Sequence, residues 1–357
     1  MRRGGRSAAA ARRNRGRQDE EKHNMPNILL TQKCVRSCPY CFAKKQMNDG
    51  DSGEIIKWED MVYLADLFSR GGCREMRFLG GEPTLHPAFA DFLAYSLTRG
   101  FSVTVFSSGI MSDKVKEDLR RVYKTVPQAD KNVSFLCNLN DPELSPPAEN
   151  KRVEEFLEEF GAWVMPGFNI YRKDFSLDFL FRYINRYGLR RSIRLGLTHP
   201  ILGESNSFIA IPEMQGIVDR LLGYLPQFNQ QDVVPGLDCG FPMCLFSDSQ
   251  LGQLYKATKG SQRFTCGVPL DIGPDMTAWG CFPLSATHRK SVYEFDDYNQ
   301  MTEYFTTFAQ DIRKEAGGIY EKCDACTWRK KGMCDGGCAA HMLREIAKEG
   351  GVRAFKI

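Results

Sequence analysis

From the run that begins at Ile28 to Leu225, short apolar stretches rich in β-branched and aromatic residues alternate with stretches of helical periodicity, and this alternation restricts the fold of the 357-residue chain most. The strand-like runs after the first are Arg74–Leu79, Phe101–Phe106, Val133–Leu139, Trp163–Tyr171 and Ser192–Leu197. Between them lie Trp58–Arg70, with Met61, Leu64, Ala65, Leu67 and Phe68 at helical spacing, then Pro87–Thr98, Asp113–Tyr123, Val153–Phe160 and Leu177–Tyr187. Amphipathic Pro212–Leu225, with Ile217, Val218, Leu221 and Leu222 facing inward, closes the series. Strands separated by helices pair in parallel through right-handed crossovers, so the expected class is α/β with a parallel sheet. In such sheets, sites form where strands end and loops begin.

The first run empties into Cys34-Val-Arg-Ser-Cys38-Pro-Tyr40-Cys41, a CxxxCxxC loop. A four-iron cluster normally takes four thiolates, so three on one loop leave an iron open to another ligand. Zinc or plain structural thiols remain alternatives, although the next candidate ligands, Cys73 and His86, stand far along the chain. The second run ends in Gly80-Gly81-Glu82-Pro83. Two glycines let a backbone come close to a ligand; a strand-to-helix turn with Pro83 as an early helix residue reads the same way. The third run ends in Ser107-Ser108-Gly109, which also suits a simple strand exit.

Thirteen cysteines in an odd, clustered set argue for metal over a disulfide framework. Eight of the positions, Cys239, Cys244, Cys266, Cys281, Cys323, Cys326, Cys334 and Cys338, follow a change of texture beyond Gln227, where Gly, Pro and Cys become frequent. The expected boundary is near residue 230, and the last four cysteines alone would also suit a zinc ribbon. Cys73 and Cys137 sit in apolar settings and read as buried structural thiols. Residues 1–24 hold eight basic and three acidic side chains, which leaves −1 for the remainder of a chain of formal charge +4. The folded part thus lacks the basic field that nucleic-acid binding requires. The tail is expected to be disordered, with Met25 as an alternative start; a transit peptide or a nucleic-acid arm stays open. No apolar run approaches the roughly 20 residues of a membrane helix, so no membrane partner and a cytoplasmic location are expected.

CxxxCxxC after a first strand, with aromatic Tyr40 before the last cysteine and GGEP one strand later, resembles the radical S-adenosylmethionine (SAM) enzymes. The resemblance implies a partial (βα)6 barrel and a [4Fe-4S] cluster on Cys34, Cys38 and Cys41. Its open iron would bind SAM, for release of a 5'-deoxyadenosyl radical that abstracts hydrogen. It assigns Gly80, Gly81 and Glu82 to the SAM amino group and Ser108 to the ribose, where relatives carry Thr-Asn-Gly. Tyr40 joins the cofactor-binding set, and among the polar residues near later strand ends Asn169 and Arg194 are expected SAM contacts. Asn138 and Asn140 read as loop or capping groups, and His199, before Pro200, as a turn residue. Cys266 and Cys281 ahead of Cys323-x2-Cys326-x7-Cys334-x3-Cys338 resemble a SPASM extension with one or two auxiliary [4Fe-4S] clusters. The implied layout is a tail at 1–24, a radical SAM core at 25–230 and a SPASM-like domain at 231–357. The x7 gap and the lack of any cysteine beyond Cys338 depart from the pattern, and Cys239 or Cys244 could supply the missing ligand.

Such relatives mostly modify peptide or protein side chains; a smaller group dehydrogenates sugars or aminocyclitols, and a non-catalytic cluster or zinc scaffold is the other class. The short stretch before the first strand leaves no leader-binding domain, so a separate leader-peptide recognition protein is an expected partner. A flavodoxin or ferredoxin is the expected electron donor. Sulfatase-maturing relatives place an Asp after the cysteine matching Cys281, and Phe282 stands there instead, which argues against that activity.

Overall fold

In a computed structural model of the chain, the described residues are 25–43, 55–203, 205–238, 240–285 and 288–348. The basic tail, the Asn48–Gly53 turn and Cys239 lie outside them. Among the described residues, ten strands form one sheet in the order β10-β9-β8-β1-β2-β3-β4-β5-β6-β7. They are β1 (Pro26–Leu29), β2 (Glu75–Leu79), β3 (Ser102–Ser107), β4 (Val133–Asn138), β5 (Val164–Ile170), β6 (Ser192–Leu197) and β7 (Val234–Leu237), then β8 (Leu270–Ile272), β9 (Thr277–Trp279) and β10 (Lys290–Ser291). β1 to β7 run parallel in chain order, as the six strand–helix units predict, with β7 as a seventh. The crossover helices are α1 (Trp58–Arg70), α2 (Phe89–Thr98), α3 (Asp113–Thr125), α4 (Pro147–Phe160), α5 (Asp178–Tyr187) and α6 (Met214–Gln230).

The strands alternate by face, as a pleat requires. Ile28, Met76, Phe78, Val103, Val105, Val133 and Phe135 share one buried core with helix residues such as Leu64, Phe68, Phe92, Leu119 and Phe156. The intervening residues face the barrel interior, and at one level they make a polar row. Trp279, Asp271, Asn27, Arg77, Thr104 and Ser134 are successive register partners across β9, β8, β1, β2, β3 and β4.

Two helices differ from expectation. α4 begins at Pro147, six residues before Val153, because proline suits the first helical position. α6 continues through Pro226 to Gln230, since Pro226 is exposed and burial of Phe228 holds the last turn on the core. Residue 230 ends α6, yet the sheet runs on beyond it. β8 and β9 form the hairpin expected between Cys266 and Cys281, and β8 also pairs in parallel with β1. Helices α7 (Asp248–Ala257), α8 (Tyr298–Ala316) and α9 (Ala339–Lys348) complete this part, and among the described residues no helix is long and apolar enough to cross a membrane.

The β1–β8 seam carries a buried polar pair: Asn27 Nδ2 donates to Asp271 Oδ1 at 2.6 Å. Burial pushes the Asp271 carboxyl up to about 7, against the opposing pull of Asn27, Arg77 and Trp279. A carboxyl raised on folding contributes stability that is intact below its unfolded pKa, near 4, and is lost as pH rises through 7. Relative to Asp271→Asn, which has no such titration, the wild type is expected to lose on the order of 4 kcal/mol between pH 4 and pH 8. Denaturant unfolding of both proteins across that range measures it, and parallel curves would show the pair titrates normally.

Candidate active site

The cysteine loop follows β1 and lies on the end of β2. Gly81 N–H donates to the Thr31 carbonyl at 2.9 Å, and Glu82 N–H to the Lys33 carbonyl at 2.8 Å. A Cβ on Gly80, whose φ is +144°, would overlap the Thr31 oxygen. One on Gly81 would overlap the Lys33 oxygen and stand 2.8 Å from Cys34 Cβ. The backbone approach read from the two glycines is therefore made to the thiol loop itself. A second anchor is Arg36, between Cys34 and Cys38. Its side chain is 7% exposed, its Nε pairs with Glu149 Oε2 at 2.8 Å in the first turn of α4, and its Nη1 donates to the Asn138 carbonyl at 3.4 Å. Tyr40 donates to Asn140 Oδ1 at 2.8 Å, and its ring lies 4.8 Å from that of Tyr171.

Cys34 feels the other two thiols. Burial raises the Cys34 pKa to about 11, with Glu82, Cys41 and Cys38 adding and the Arg36 amide, 3.5 Å from Sγ, opposing. Burial and Cys38 likewise push the Tyr40 hydroxyl up. A partly desolvated Cys34 with two further thiols beside it resists becoming a thiolate unless positive charge is placed near it, which is what an iron cluster would bring. No three His, Cys, Asp or Glu side chains among the described residues converge as ligands of a single ion. A cluster instead takes each thiolate on a separate iron, so the donors need to share a loop, not a point.

Glu82 is fully buried. Its Oε1 accepts from Thr84 Oγ1 at 2.9 Å and Ser107 Oγ at 2.8 Å, and its Oε2 accepts from Ser108 N at 2.8 Å and Ser108 Oγ at 2.6 Å. The carboxylate thus ties the ends of β2 and β3 together, and the Ser108 hydroxyl proton is already committed to it. Further along the strand ends, Arg194 donates to Asn169 Oδ1 at 3.3 Å and forms an ion pair with Asp238, just past β7. Asn138 Oδ1, in register with Gly167, is buried and unpartnered, an acceptor that a ligand donor would satisfy. Arg36, Thr84, Ser107 and Asp238 were not singled out from sequence. A guanidinium between two cysteines was the one local signal among them.

His199 is more than a turn residue: it is buried, and its Nδ1 lies 3.3 Å from Nε2 of buried His341 on α9. Burial first, then His199 and Arg344, pull His341 down to about 3, so it is neutral at ordinary pH. Cys137 is fully buried as expected, whereas Cys73 is only partly so and donates to the Glu75 carbonyl at 3.2 Å.

The downstream thiols fall into two groups. Cys266, Cys281 and Cys338 influence one another: burial raises Cys338 to about 12 and Cys281 well upward, with the neighbouring thiols adding. Arg313 serves this group, lying 3.6 Å from Asp335, whose Oδ2 accepts from the Cys266 amide at 2.7 Å. In the other group, burial raises Cys244, and Cys323 and Cys334 add to it. Cys334 Sγ accepts from the Met243 and Gly336 amides at 3.5 and 3.4 Å, and the Cys326 amide donates to the Cys323 carbonyl at 3.3 Å.

Residues 28–162 match the sequence profile of the radical SAM superfamily, so the chain carries a radical SAM domain, the class that uses a [4Fe-4S] cluster and SAM. A SAM-dependent nucleotide dehydratase of Selenomonas ruminantium is 34% identical over 84 residues, 23% of this chain and 29% of that protein. A probable GTP 3',8-cyclase of Archaeoglobus fulgidus is 32% identical over 93 residues, 26% and 30% of the two. These matches span less than a third of either relative. The fold is also that of Streptococcus suis SuiB. The SAM-bound crystal structure aligns with a TM-score of 0.62 at 14% identity, over 96% of this chain and 81% of SuiB. The structure with precursor peptide SuiA aligns at 0.59 and 13%, over 96% and 80%.

Gly81→Ala is expected to lift the thiol loop from β2. Anaerobic reconstitution should then lose about four irons, one cluster's worth, while the downstream thiols keep theirs. Iron analysis decides, and wild-type iron in the variant would show that the close approach is dispensable.

Proposed function

We propose that the chain is a radical SAM enzyme that reductively cleaves SAM and takes hydrogen from a peptide or protein side chain. The observation that carries this reading is the loop of Cys34, Cys38 and Cys41 seated on the Gly80–Glu82 backbone. When bound, the cluster and SAM supply an electron and a 5'-deoxyadenosyl radical able to attack an unactivated C–H bond. The chain's own residues hold and orient. Cys34, Cys38 and Cys41 ligate iron, while Arg36 sets a fixed positive charge in the loop. Gly80, Gly81 and Glu82 serve the SAM amino group, Glu82 chiefly by fixing the turn that carries Ser108. Tyr40, Ser108, Asn169 and Arg194 complete the cofactor contacts, joined by Asn138 with its unpartnered oxygen. The likeness in fold to SuiB, solved with a precursor peptide, supports a peptide substrate over a sugar.

In this reading Cys244, Cys323, Cys326 and Cys334 hold one auxiliary [4Fe-4S] cluster. Cys266, Cys281 and Cys338 hold another, with Cys239 as its fourth thiol. A flavodoxin or ferredoxin supplies electrons, and a separate leader-peptide recognition protein presents the substrate.

Two measurements test this. Cys38→Ala is expected to reduce 5'-deoxyadenosine formation from SAM and dithionite by at least about a hundredfold, because it removes a ligand of the only cluster with an open iron. Turnover near wild type would overturn the assignment. Cys244→Ala is expected to lower reconstituted iron by about four atoms and leave SAM cleavage measurable; undiminished iron would remove Cys244 from the ligand set.

A further inference from the structure

We propose that Arg77, on the inner face of β2, is the anchor of an oxyanion-binding subsite in the barrel interior that receives a carboxylate or phosphate of the substrate. The inner row described above places it beside Asn27 and Thr104 and two strands from Asp271. Among the described residues its guanidinium has no hydrogen bond and no ion pair. Its Cζ lies 5.7 Å from the centroid of the Phe106 ring, and the charged groups that act on it, Asp238, Arg194, Glu75 and Tyr298, do so without a hydrogen bond or ion pair. The other interior arginine, Arg194, contrasts with it, being closed by Asp238 and Asn169.

The surroundings are also incomplete. Asn27 Oδ1 and Asp271 Oδ2 are buried acceptors without a well-formed hydrogen bond, and the Trp279 indole, a register neighbour of Asp271, acts on its carboxylate without closing one. A guanidinium edge and an indole N–H are both donors, and a planar carboxylate or a phosphate matches a guanidinium with two parallel bonds. Nor do the neighbouring acids forbid an anion. Asp238 is paired with Arg194, and burial pushes the Asp271 carboxyl toward its uncharged form. Burial also lowers the Arg77 pKa, so the folded protein without ligand disfavours this charge where it stands. A charge kept at such a cost is explained by a ligand, since active sites trade stability for function. Arg77 remains partly accessible, which gives a ligand a way in.

That the ligand is the substrate rests on the radical SAM reading above; the subsite itself is tested without turnover. The probes are sodium glutarate and sodium pyrophosphate, each at equal ionic strength against sodium chloride. The readout is the melting temperature of anaerobically reconstituted wild type, Arg77→Met, Arg77→Lys and, as an exposed control, Arg172→Gln. In the absence of probe, Arg77→Met is expected to melt at or above the wild-type temperature. At saturation, at least one probe should raise the wild type and Arg172→Gln by about 2 °C, Arg77→Lys by less, and Arg77→Met not at all. A response to glutarate identifies a carboxylate-bearing substrate, and a response to pyrophosphate alone a phosphorylated one. Either upholds the subsite. Equal shifts in Arg77→Met and wild type, no shift in wild type with either probe, or a lower melting temperature of probe-free Arg77→Met would overturn it. Undiminished SAM cleavage by Cys38→Ala would defeat the enzymatic reading while leaving these shifts unaffected.

Discussion

The contact between the thiol loop and the end of β2 is the constraint on which the site depends. Two main-chain hydrogen bonds, from Gly81 and Glu82 to the carbonyls of Thr31 and Lys33, close it, and there is no space for a Cβ at either glycine. Once the loop lies there, Cys34 is fixed over β2. Arg36 then reaches the first turn of α4, where its guanidinium and Glu149 form a mostly buried pair. Such a pair adds little net stability, but leaving either partner alone would cost several kcal/mol, about 3–5. It therefore specifies position: the loop is tied at one end to β2 and in its middle to β4 and α4. Glu82 continues the same chain of contacts by taking hydrogen bonds from Thr84, Ser107 and Ser108.

Much of this was legible. The parallel order of β1 to β6, the Cys34, Cys38 and Cys41 loop and the hairpin between Cys266 and Cys281 all have local signatures, namely periodicity, spacing and turn residues. The pairing of β8 with β1 has none. Its register joins Asn27 to Asp271, 244 positions apart, and a strand of three residues carries too little pattern to announce itself. Glu82 is the second case. A GGE turn marks a close approach but does not say what approaches, and the hydroxyls that occupy the carboxylate come from the next strand. His199 is the third. A histidine before proline in a loop resembles a turn residue until α9 brings His341 against it.

The same β1–β8 pairing explains how the Cys-rich segment is positioned. Cys266 precedes β8 by a few residues, and Cys281 follows β9 by two. Both thiols are thereby attached to strands hydrogen-bonded, directly or through one neighbour, to the strand that carries the first cysteine loop. Cys338 reaches them from the start of α9, which packs on α8 through Ile312, Ala316, Ala339 and Leu343. Arg313, on α8 and next to Ile312, is delivered to the same three thiols by that packing. A small apolar contact between two helices thus sets a charge beside a ligand group.

The inner face shows why a polar barrel interior is tolerable. Along each strand the side chains alternate, so the residues that bury apolar surface under the helices and those that line the interior belong to independent sets. Ile28, Phe78 and Val105 carry the core, and Asn27, Arg77 and Thr104, one position away, are free to vary without touching it. Some inner residues pair, as Thr104 and Ser134 do at 3.0 Å and, through one bond only, Asn27 and Asp271 at 2.6 Å. Unfilled valences then collect where this pairing stops, at Asn27 Oδ1, Asp271 Oδ2 and Trp279 Nε1, beside the unpaired Arg77 guanidinium. All four residues stand within one row of the sheet, because the register that aligns β9, β8, β1 and β2 brings them there. The polar interior and the apolar exterior are thus products of one pleat, and specificity at the inner row can change while the fold is kept.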